Sequence, residues 1–274
     1  MTLGTLGPGA LRLVKGVYYD EFLAGVIMSG HNKWSTIKHK KAAADAKRGR
    51  EFTRVIREIT VAARAGGGDP EGNPRLRSAV MAAKAINMPL DNVKRAIQRG
   101  TGELPGVTYE EITYEAYGPE GVALLLEVLT DNPNRTTPEI RHMLSKHGGN
   151  LGAPNSVAWI FDKKGYVAVN KDAATEEQLM EVALEAGAED IEEGDEIFEI
   201  LTPVDSFEAV SEALTAAGIE VQASEVSRIP STTVKVSGKK AEQLIRLLDA
   251  LDDHDDVQKV WGNMELEETD TAQE

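Results

Sequence analysis

The 274-residue sequence contains no cysteine, which excludes disulfide bonds, thiolate metal sites and cysteine nucleophiles together. It also has no apolar run approaching the roughly 18 residues that a membrane-spanning helix needs. Aromatic residues make up only 5% of the chain, but hydrophobic residues reach 41%, enough for more than one core at this length. This composition predicts a multidomain protein that makes no use of a membrane and fits the reducing cytoplasm.

Recognisable catalytic signatures are missing as well. The sequence has no Walker loop, nucleophile elbow or zincin motif. His142 and His147 are five apart on a predicted helix and do not share a face, and His254 lies in the acidic run 252–256, which we interpret as a solvated turn before a strand. We therefore predict a protein that is not an enzyme and that uses no cofactor, no metal ion and no small-molecule substrate.

Charge is separated along the chain, within a formal net charge of −15. Residues 28–107 carry 16 Lys and Arg against 7 Asp and Glu, a balance of +9, whereas residues 108–274 carry 12 against 36, a balance of −24. Such segregation is typical of a basic binding module joined to acidic domains. The acidic part could serve solubility alone, or it could bind basic protein surfaces.

The N-terminal region divides into two segments. Residues 1–27 are Gly-rich with few cations and are interpreted as a disordered upstream extension, with Met28 as the biological start. Residues 30–50 are dense in cations and poor in apolar side chains, so they predict an arm that orders on a polyanion. Trp34 could stack on an unpaired base or anchor the arm. The predicted contacts in this segment are Lys33, Trp34, Lys38, Lys40, Lys41, Lys47, Arg48 and Arg50.

Three helices are predicted after the arm, completing a basic helical nucleic-acid-binding domain over residues 28–104. In the first, apolar residues repeat at helical spacing on one face, while Arg54 and Arg57 share the opposite face with Arg50. Guanidinium groups in a row suit phosphate, although any surface helix is polar outside. In the third helix, Lys94 and Arg95 are predicted to face outward and to join the nucleic-acid contacts.

From residue 105 onward the apolar residues alternate at the spacing that is typical of strands rather than helices. The order βαββαβ over residues 161–229 predicts an inserted ferredoxin-like domain. It interrupts a middle α/β domain formed by residues 105–160 and 230–266, and an acidic tail follows at 267–274. The predicted fold class is α+β: an N-terminal three-helix domain followed by two ferredoxin-like α/β domains, one inserted into the other. Trp159 and Trp261 are expected in cores, and Arg135, in a polar segment, is a candidate second contact with nucleic acid or protein.

Four segments carry a family resemblance: GHNKWSTIKHKKAAADAKRGREFTRVIREI, INMPLDNVKRAIQRG, YEAYGPEGVALLLEVLTDN and NRTTPEIRHMLSKHGGNLG. With them the chain resembles the YebC/PmpR family over about residues 29–266, a family that includes a mitochondrial translational activator. The resemblance implies a three-domain architecture and a role in DNA-binding transcriptional regulation. In other members it implies ribosome-associated control of translation. Asn155 stands where many members would have Gly, so the geometry of the turn at this position is expected to depart from the family pattern.

Three functions therefore follow from the sequence. The first is a DNA-binding transcriptional regulator of the YebC/PmpR type. The alternative is a ribosome-associated translation factor that contacts ribosomal RNA, and the second alternative is a scaffold whose acidic domains bind the ribosome or RNA polymerase. Phosphate contacts predict a steep loss of binding with salt, whereas a mainly apolar protein interface predicts little loss.

Overall fold

The computed structural model describes residues 44–194 and 196–266, with side chains from residue 49 onward. The predicted extension, most of the basic arm and the acidic tail lie outside the described residues. Lys47 and Arg48 lie within the first helix, but their side chains are not among those described. In the part of the chain that the structure describes, no helix is long and apolar enough to cross a membrane.

The predicted three helices of the basic region are confirmed as α1 (Ala44–Gly66), α2 (Pro74–Ala85) and α3 (Leu90–Thr101). Asn73 caps α2 by accepting from the backbone N–H of Leu76 at 3.1 Å, and its amide donates to the carbonyl of Ala62 in α1 at 2.8 Å. One side chain therefore ends the connecting loop and fixes α2 against α1. The buried core of the three helices includes Ile59, Leu76, Ala83, Val93 and Ala96.

Gly100 sets the distance between α1 and α3. A methyl group at this position would lie 2.5 Å from the carbonyl oxygen of Thr60 and 2.7 Å from Cβ of Ala63. Because the first of these atoms is backbone, the helices would have to separate to accept it. We expect Gly100→Ala to lower the free energy of unfolding by about 1–3 kcal/mol, measured by urea denaturation. Gly72→Ala, where nothing lies within 4 Å, is the control, and equal losses in the two variants would contradict the close approach.

The rest of the described chain alternates strands and helices. In chain order its elements are β1 (Glu110–Tyr117), β2 (Ala123–Thr130), α4 (Pro133–Lys146), β3 (Asn150–Leu151), β4 (Phe161–Asn170), α5 (Glu176–Leu179, continuing as a π-helical turn, Met180–Leu184), β5 (Asp190–Glu193), β6 (Ile197–Thr202), α6 (Phe207–Ala216), β7 (Val221–Pro230), β8 (Val234–Val236), α7 (Gly238–Asp252), β9 (Val257–Gly262) and β10 (Met264–Leu266).

The first sheet combines strands from both ends of this region in the order β3-β1-β2-β9. The hairpin β1–β2 is antiparallel from Glu110 opposite Thr130 to Tyr117 opposite Ala123, and β9 adds to β2 with Leu126 opposite Val260. Alternate residues of these strands pack against α4 and α7, which bury Ile140 and Leu247. β8 and β10 form a separate two-stranded parallel ribbon.

The second sheet has the order β5-β6-β4-β7, and its strand pairs are antiparallel. With α5 and α6 in the connections, this is the βαββαβ order and the strand arrangement of a ferredoxin-like unit. Its core lies between the sheet and the two helices and includes Val167, Ile200 and Leu214. The predicted α+β class, helices first and two antiparallel sheets after them, is confirmed.

The expected core position of Trp159 is wrong. Residues Ala158–Ile160 form a turn of 3-10 helix rather than a strand, and the Trp159 side chain is 71% exposed. Trp261 in β9 is 3% exposed, so the matching expectation for that residue is confirmed.

Candidate nucleic-acid interface

The arginine row of α1 faces an acidic turn of the same chain. The turn joins α7 to β9 and carries four aspartates over residues 252–256. Arg50 pairs with Asp253 at 2.8 Å, and Arg54 lies 3.3 Å from the carboxylate of Asp252, whose carbonyl it also contacts. The amphipathic pattern of α1 is therefore correct, but the polar face meets carboxylates in this structure.

Arg57 is the most enclosed arginine of this contact. Its guanidinium lies 2.7 Å from the carboxylate of Asp256, and it also donates to the carbonyls of Asp255 and Leu129. The ring of Tyr109 lies 5.5 Å from its guanidinium carbon. Its side chain is only 14% exposed, so Arg57 fixes the helical region to the first sheet rather than presenting a free charge.

Asp256 is the centre of the contact, and our interpretation of its run as a solvated turn is wrong for this residue, which is 1% exposed. Its carboxylate accepts from Thr136 at 2.6 Å, from Arg135 at 2.7 Å and from Thr130 at 3.1 Å. Burial by itself raises the pKa of Asp256, but these hydrogen bonds and the charge of Arg57 outweigh burial and lower the pKa to about 2. Asp256 is therefore a permanently ionised acceptor at neutral pH.

Two predicted contacts far apart in sequence are thus brought together. Arg135, at the start of α4, and Arg57, in α1, bind opposite oxygens of the same Asp256 carboxylate. The side chain of Arg135 stays 44% exposed and also pairs with Asp131 at 3.1 Å. These groups line an open cleft of about 790 Å³ between α1, α4 and the acidic turn. Its walls carry both signs of charge, and His254 there lies 3.0 Å from Glu139.

Across the described residues, no group of three His, Cys, Asp or Glu side chains is placed to hold a metal ion. In the sequence, the only signal for this contact was the acidic run itself. Its four aspartates can pair with the three arginines of α1, but nothing in the spacing of either segment predicted that the two segments meet.

Other cations of the helical region remain exposed. Lys94 and Arg95 project from α3 into solvent, together with Arg99 and, on α2, Lys84. In the described ranges none of these four side chains takes part in an ion pair. Arg75, by contrast, is held between Glu58 at 2.6 Å and Glu111 at 2.9 Å. Of the predicted nucleic-acid contacts whose side chains are described, Lys94 and Arg95 are thus the ones available to a phosphate.

A basic three-helix region joined through ion pairs to one antiparallel sheet, with a second, ferredoxin-like sheet between the strands of the first in sequence, defines an α+β protein of segregated charge. The chain belongs to the TACO1/YebC family. The model of the TACO1/YebC N-terminal domain matches residues 32–103, and that of the second and third domain matches residues 109–264.

Relatives match over nearly their whole length. A protein of Desulfosudis oleivorans is 61% identical over 242 residues, covering 88% of this chain and 98% of the relative. One of Acidobacterium capsulatum is 60% identical over 243 residues, covering 89% and 98%. Both are named probable transcriptional regulatory protein. The crystal structure of a conserved hypothetical protein from Aquifex aeolicus is similar with a TM-score of 0.76 and 46% identity, covering 88% of this chain and all of that one.

Proposed function

We propose that this protein is a non-enzymatic, nucleic-acid-binding regulator of gene expression, and that it acts as a DNA-binding transcriptional regulator. The observation that carries the proposal is the pair of exposed cations Lys94 and Arg95 on α3, neither of which is in an ion pair within the described residues. The names of the relatives support the regulatory part of the proposal. A cytoplasmic location accords with this role.

The charge balance supports the choice of nucleic acid as the partner. The region from residue 28 to 107 has a balance of +9, and the ion pairs of Arg50, Arg54 and Arg57 neutralise charges of the acidic part as well as their own. The exposed cations of the helical region that form no ion pair within the described residues are Arg64 on α1, Lys84 on α2, and Lys94, Arg95 and Arg99 on α3. Phosphate contacts of this kind give affinity and position without reading sequence.

Duplex binding by paired variants tests the proposal. We expect Lys94→Gln with Arg95→Gln to weaken binding to a promoter-length DNA duplex roughly tenfold or more at 100 mM salt, because two phosphate contacts are lost. Lys239→Gln with Lys240→Gln removes the same charge from exposed positions at the start of α7 and serves as the control. Fluorescence anisotropy of a labelled duplex gives both affinities. Equal losses in the two variants, or no duplex binding by the unaltered protein at low salt, would refute the proposal.

The acidic surface favours one second candidate, a ribosome-associated translation factor. Residues 108–274 have a balance of −24, which suits basic ribosomal proteins while the helical region contacts ribosomal RNA. A scaffold that binds RNA polymerase through the same surface would share this charge match. Co-sedimentation of the protein with ribosomes across a salt series separates the candidates, since a transcriptional regulator is expected to stay in the supernatant while retaining duplex binding.

A further inference from the structure

Trp159 is the most exposed large apolar side chain among the described residues, at 71%. Its neighbours Phe161 and Ile160 are buried, at 4% and 9% exposed. The indole Nε1–H donates to the carbonyl of Ser156 at 3.1 Å, so the polar edge of the ring is already satisfied within its own loop. What remains open to solvent is the apolar face, which makes the ring a surface for stacking rather than a hydrogen-bond donor.

The loop that carries Trp159 is held in place by Glu115, a β1 residue that is only 9% exposed. Its carboxylate accepts from the backbone N–H of Val157 at 2.6 Å and of Ala158 at 2.7 Å, and from that of Asn155. Burial raises the pKa of Glu115, but these backbone hydrogen bonds outweigh it and leave the pKa below its usual value. An ionised carboxylate therefore organises the turn directly before the exposed indole.

Two further features fix the same loop. Asn155 adopts a left-handed backbone conformation with φ of 63°, at the position where the family resemblance led us to expect Gly. On the other side of the indole, the carbonyl of Ile160 accepts from the backbone N–H of Ser231 at 2.8 Å. Because the backbone is secured on both sides of Trp159, its exposure is a built feature, and exposed aromatic residues on fixed loops are typical of binding sites.

Two cations face each other in the strand pair that follows this loop. Lys163, four residues after Trp159, is directly opposite Arg228 in the β4–β7 ladder, a like-charge pairing that costs stability by itself. In the part of the chain described, neither side chain forms an ion pair. Both lie within electrostatic reach of Glu127, as does Lys259, which pairs with Glu225 at 2.8 Å. Glu58 also acts on Glu127, and the exposed Asp162 directly precedes Lys163, so the cluster is not positive overall. What distinguishes it is the like-charge pair of Lys163 and Arg228, which has no ion pair within the described residues.

We propose that Trp159 stacks on an unpaired base of single-stranded nucleic acid while Lys163 and Arg228 contact the adjoining phosphates. The proposal rests on the proposed function and adds to it a second contact, on the α/β part of the chain, that prefers single strands to duplex. The two cations without ion pairs favour this occupant, because an exposed aromatic face and cations of the strand pair that follows it match a base and its phosphate backbone.

Tryptophan fluorescence tests the site directly. In a Trp34→Phe background the emission comes from exposed Trp159 and buried Trp261, so quenching by an oligonucleotide reports stacking on Trp159. The probes are 12-nucleotide oligo(dT) and oligo(U), which distinguish DNA from RNA, and a blunt DNA duplex without unpaired bases. We expect Trp159→Ala to weaken single-strand binding between about 5-fold and 150-fold and to leave duplex binding unchanged. Trp159→Phe, which keeps an aromatic face, is expected to lose less than about fivefold.

The contribution of Lys163 and Arg228 is measured separately, through the salt dependence of binding. Lys163→Gln with Arg228→Gln is expected to reduce the slope of log affinity against log salt for the single strand by about 1.4, and to leave the slope for duplex unchanged. Absence of quenching, or unchanged single-strand affinity in Trp159→Ala while duplex still binds, would overturn this inference and leave the proposed function standing. Failure of the unaltered protein to bind any of the three probes would overturn both.

Discussion

Replacement of Asp256 by alanine is expected to lower the free energy of unfolding by about 3–5 kcal/mol, as is usual when one partner of a buried ion pair is removed. The change leaves Arg57, 14% exposed, without its carboxylate and takes away the shared acceptor of Arg135, Thr130 and Thr136. No alternative carboxylate lies in the same position, since Asp255 contributes its carbonyl instead. Urea denaturation followed by circular dichroism measures the loss.

Asp255→Ala is the matched control, because it removes the exposed neighbouring carboxylate and keeps the carbonyl that Arg57 contacts. We expect it to change stability by no more than about 0.5 kcal/mol. Equal effects of the two substitutions would show that the aspartate run acts through its total charge and that the buried carboxylate has no special role.

The stability that Asp256 contributes also has a defined pH dependence. Its folded pKa, lowered from 3.8 to about 2, lies below the unfolded value, so the unfolded chain takes up the proton first as pH falls. The contribution is therefore complete above about pH 5 and is lost progressively as the pH falls toward 2. In Asp256→Ala this part of the acid-induced loss of stability should be missing.

The helices of the basic region could be predicted because their local signals agree with one another. Asn73 caps α2 as the Asn-Pro sequence indicates, and the apolar spacing of Ile59 and Val93 places both in the predicted core. The strands could be predicted as well, although β2 is buried on both faces and does not alternate. Local periodicity decides which face of an element is buried, and it succeeded wherever one face meets a core made of neighbouring segments.

The exposed position of Trp159 could not be predicted from the apolar pattern of the sequence. The run Ser156 to Phe161 is apolar enough to suggest a buried strand, and Phe161 is indeed buried. A single 3-10 turn, fixed by backbone hydrogen bonds to Glu115 some 40 residues earlier, rotates the indole outward instead. Nothing within the run predicts the long-range contact with Glu115, so the exposure of the Trp159 ring could not be predicted from the sequence alone.

The arginine row shows a different limit. A guanidinium binds phosphate and carboxylate through the same planar pair of donors, so the pattern of α1 fits both partners equally well. The carboxylates of the turn after α7 lie about 200 residues away in sequence, and only the folded chain brings them to Arg54 and Arg57. Three of the predicted phosphate contacts are therefore already paired with aspartates. We expect this pairing to reduce the salt dependence of DNA binding.

For duplex DNA, we expect the slope of log affinity against log salt to be about −7 rather than −10. Eleven cations were predicted as contacts, but the three in ion pairs with aspartates release no DNA counterions if those pairs persist, and each remaining contact contributes about −0.9. Between 50 and 200 mM salt the affinity should then fall about 10⁴-fold. Anisotropy titrations over that range measure the slope. The eight contributing cations are Lys33, Lys38, Lys40, Lys41, Lys47, Arg48, Lys94 and Arg95.

Neutralising the aspartates that pair with α1 tests whether these ion pairs persist when DNA binds or are displaced by phosphate. Asp252→Asn with Asp253→Asn frees Arg54 and Arg50, and the slope should steepen to about −9 if the ion pairs had withheld these residues from DNA. Asp172→Asn with Asp205→Asn, exposed aspartates of the second sheet region, changes the net charge equally and should leave the slope at −7. A slope near −10 in the unaltered protein would instead mean that DNA competes with the acidic turn for the same arginines. The aspartates would then act as an internal substitute for phosphate, and binding would separate α1 from the turn after α7.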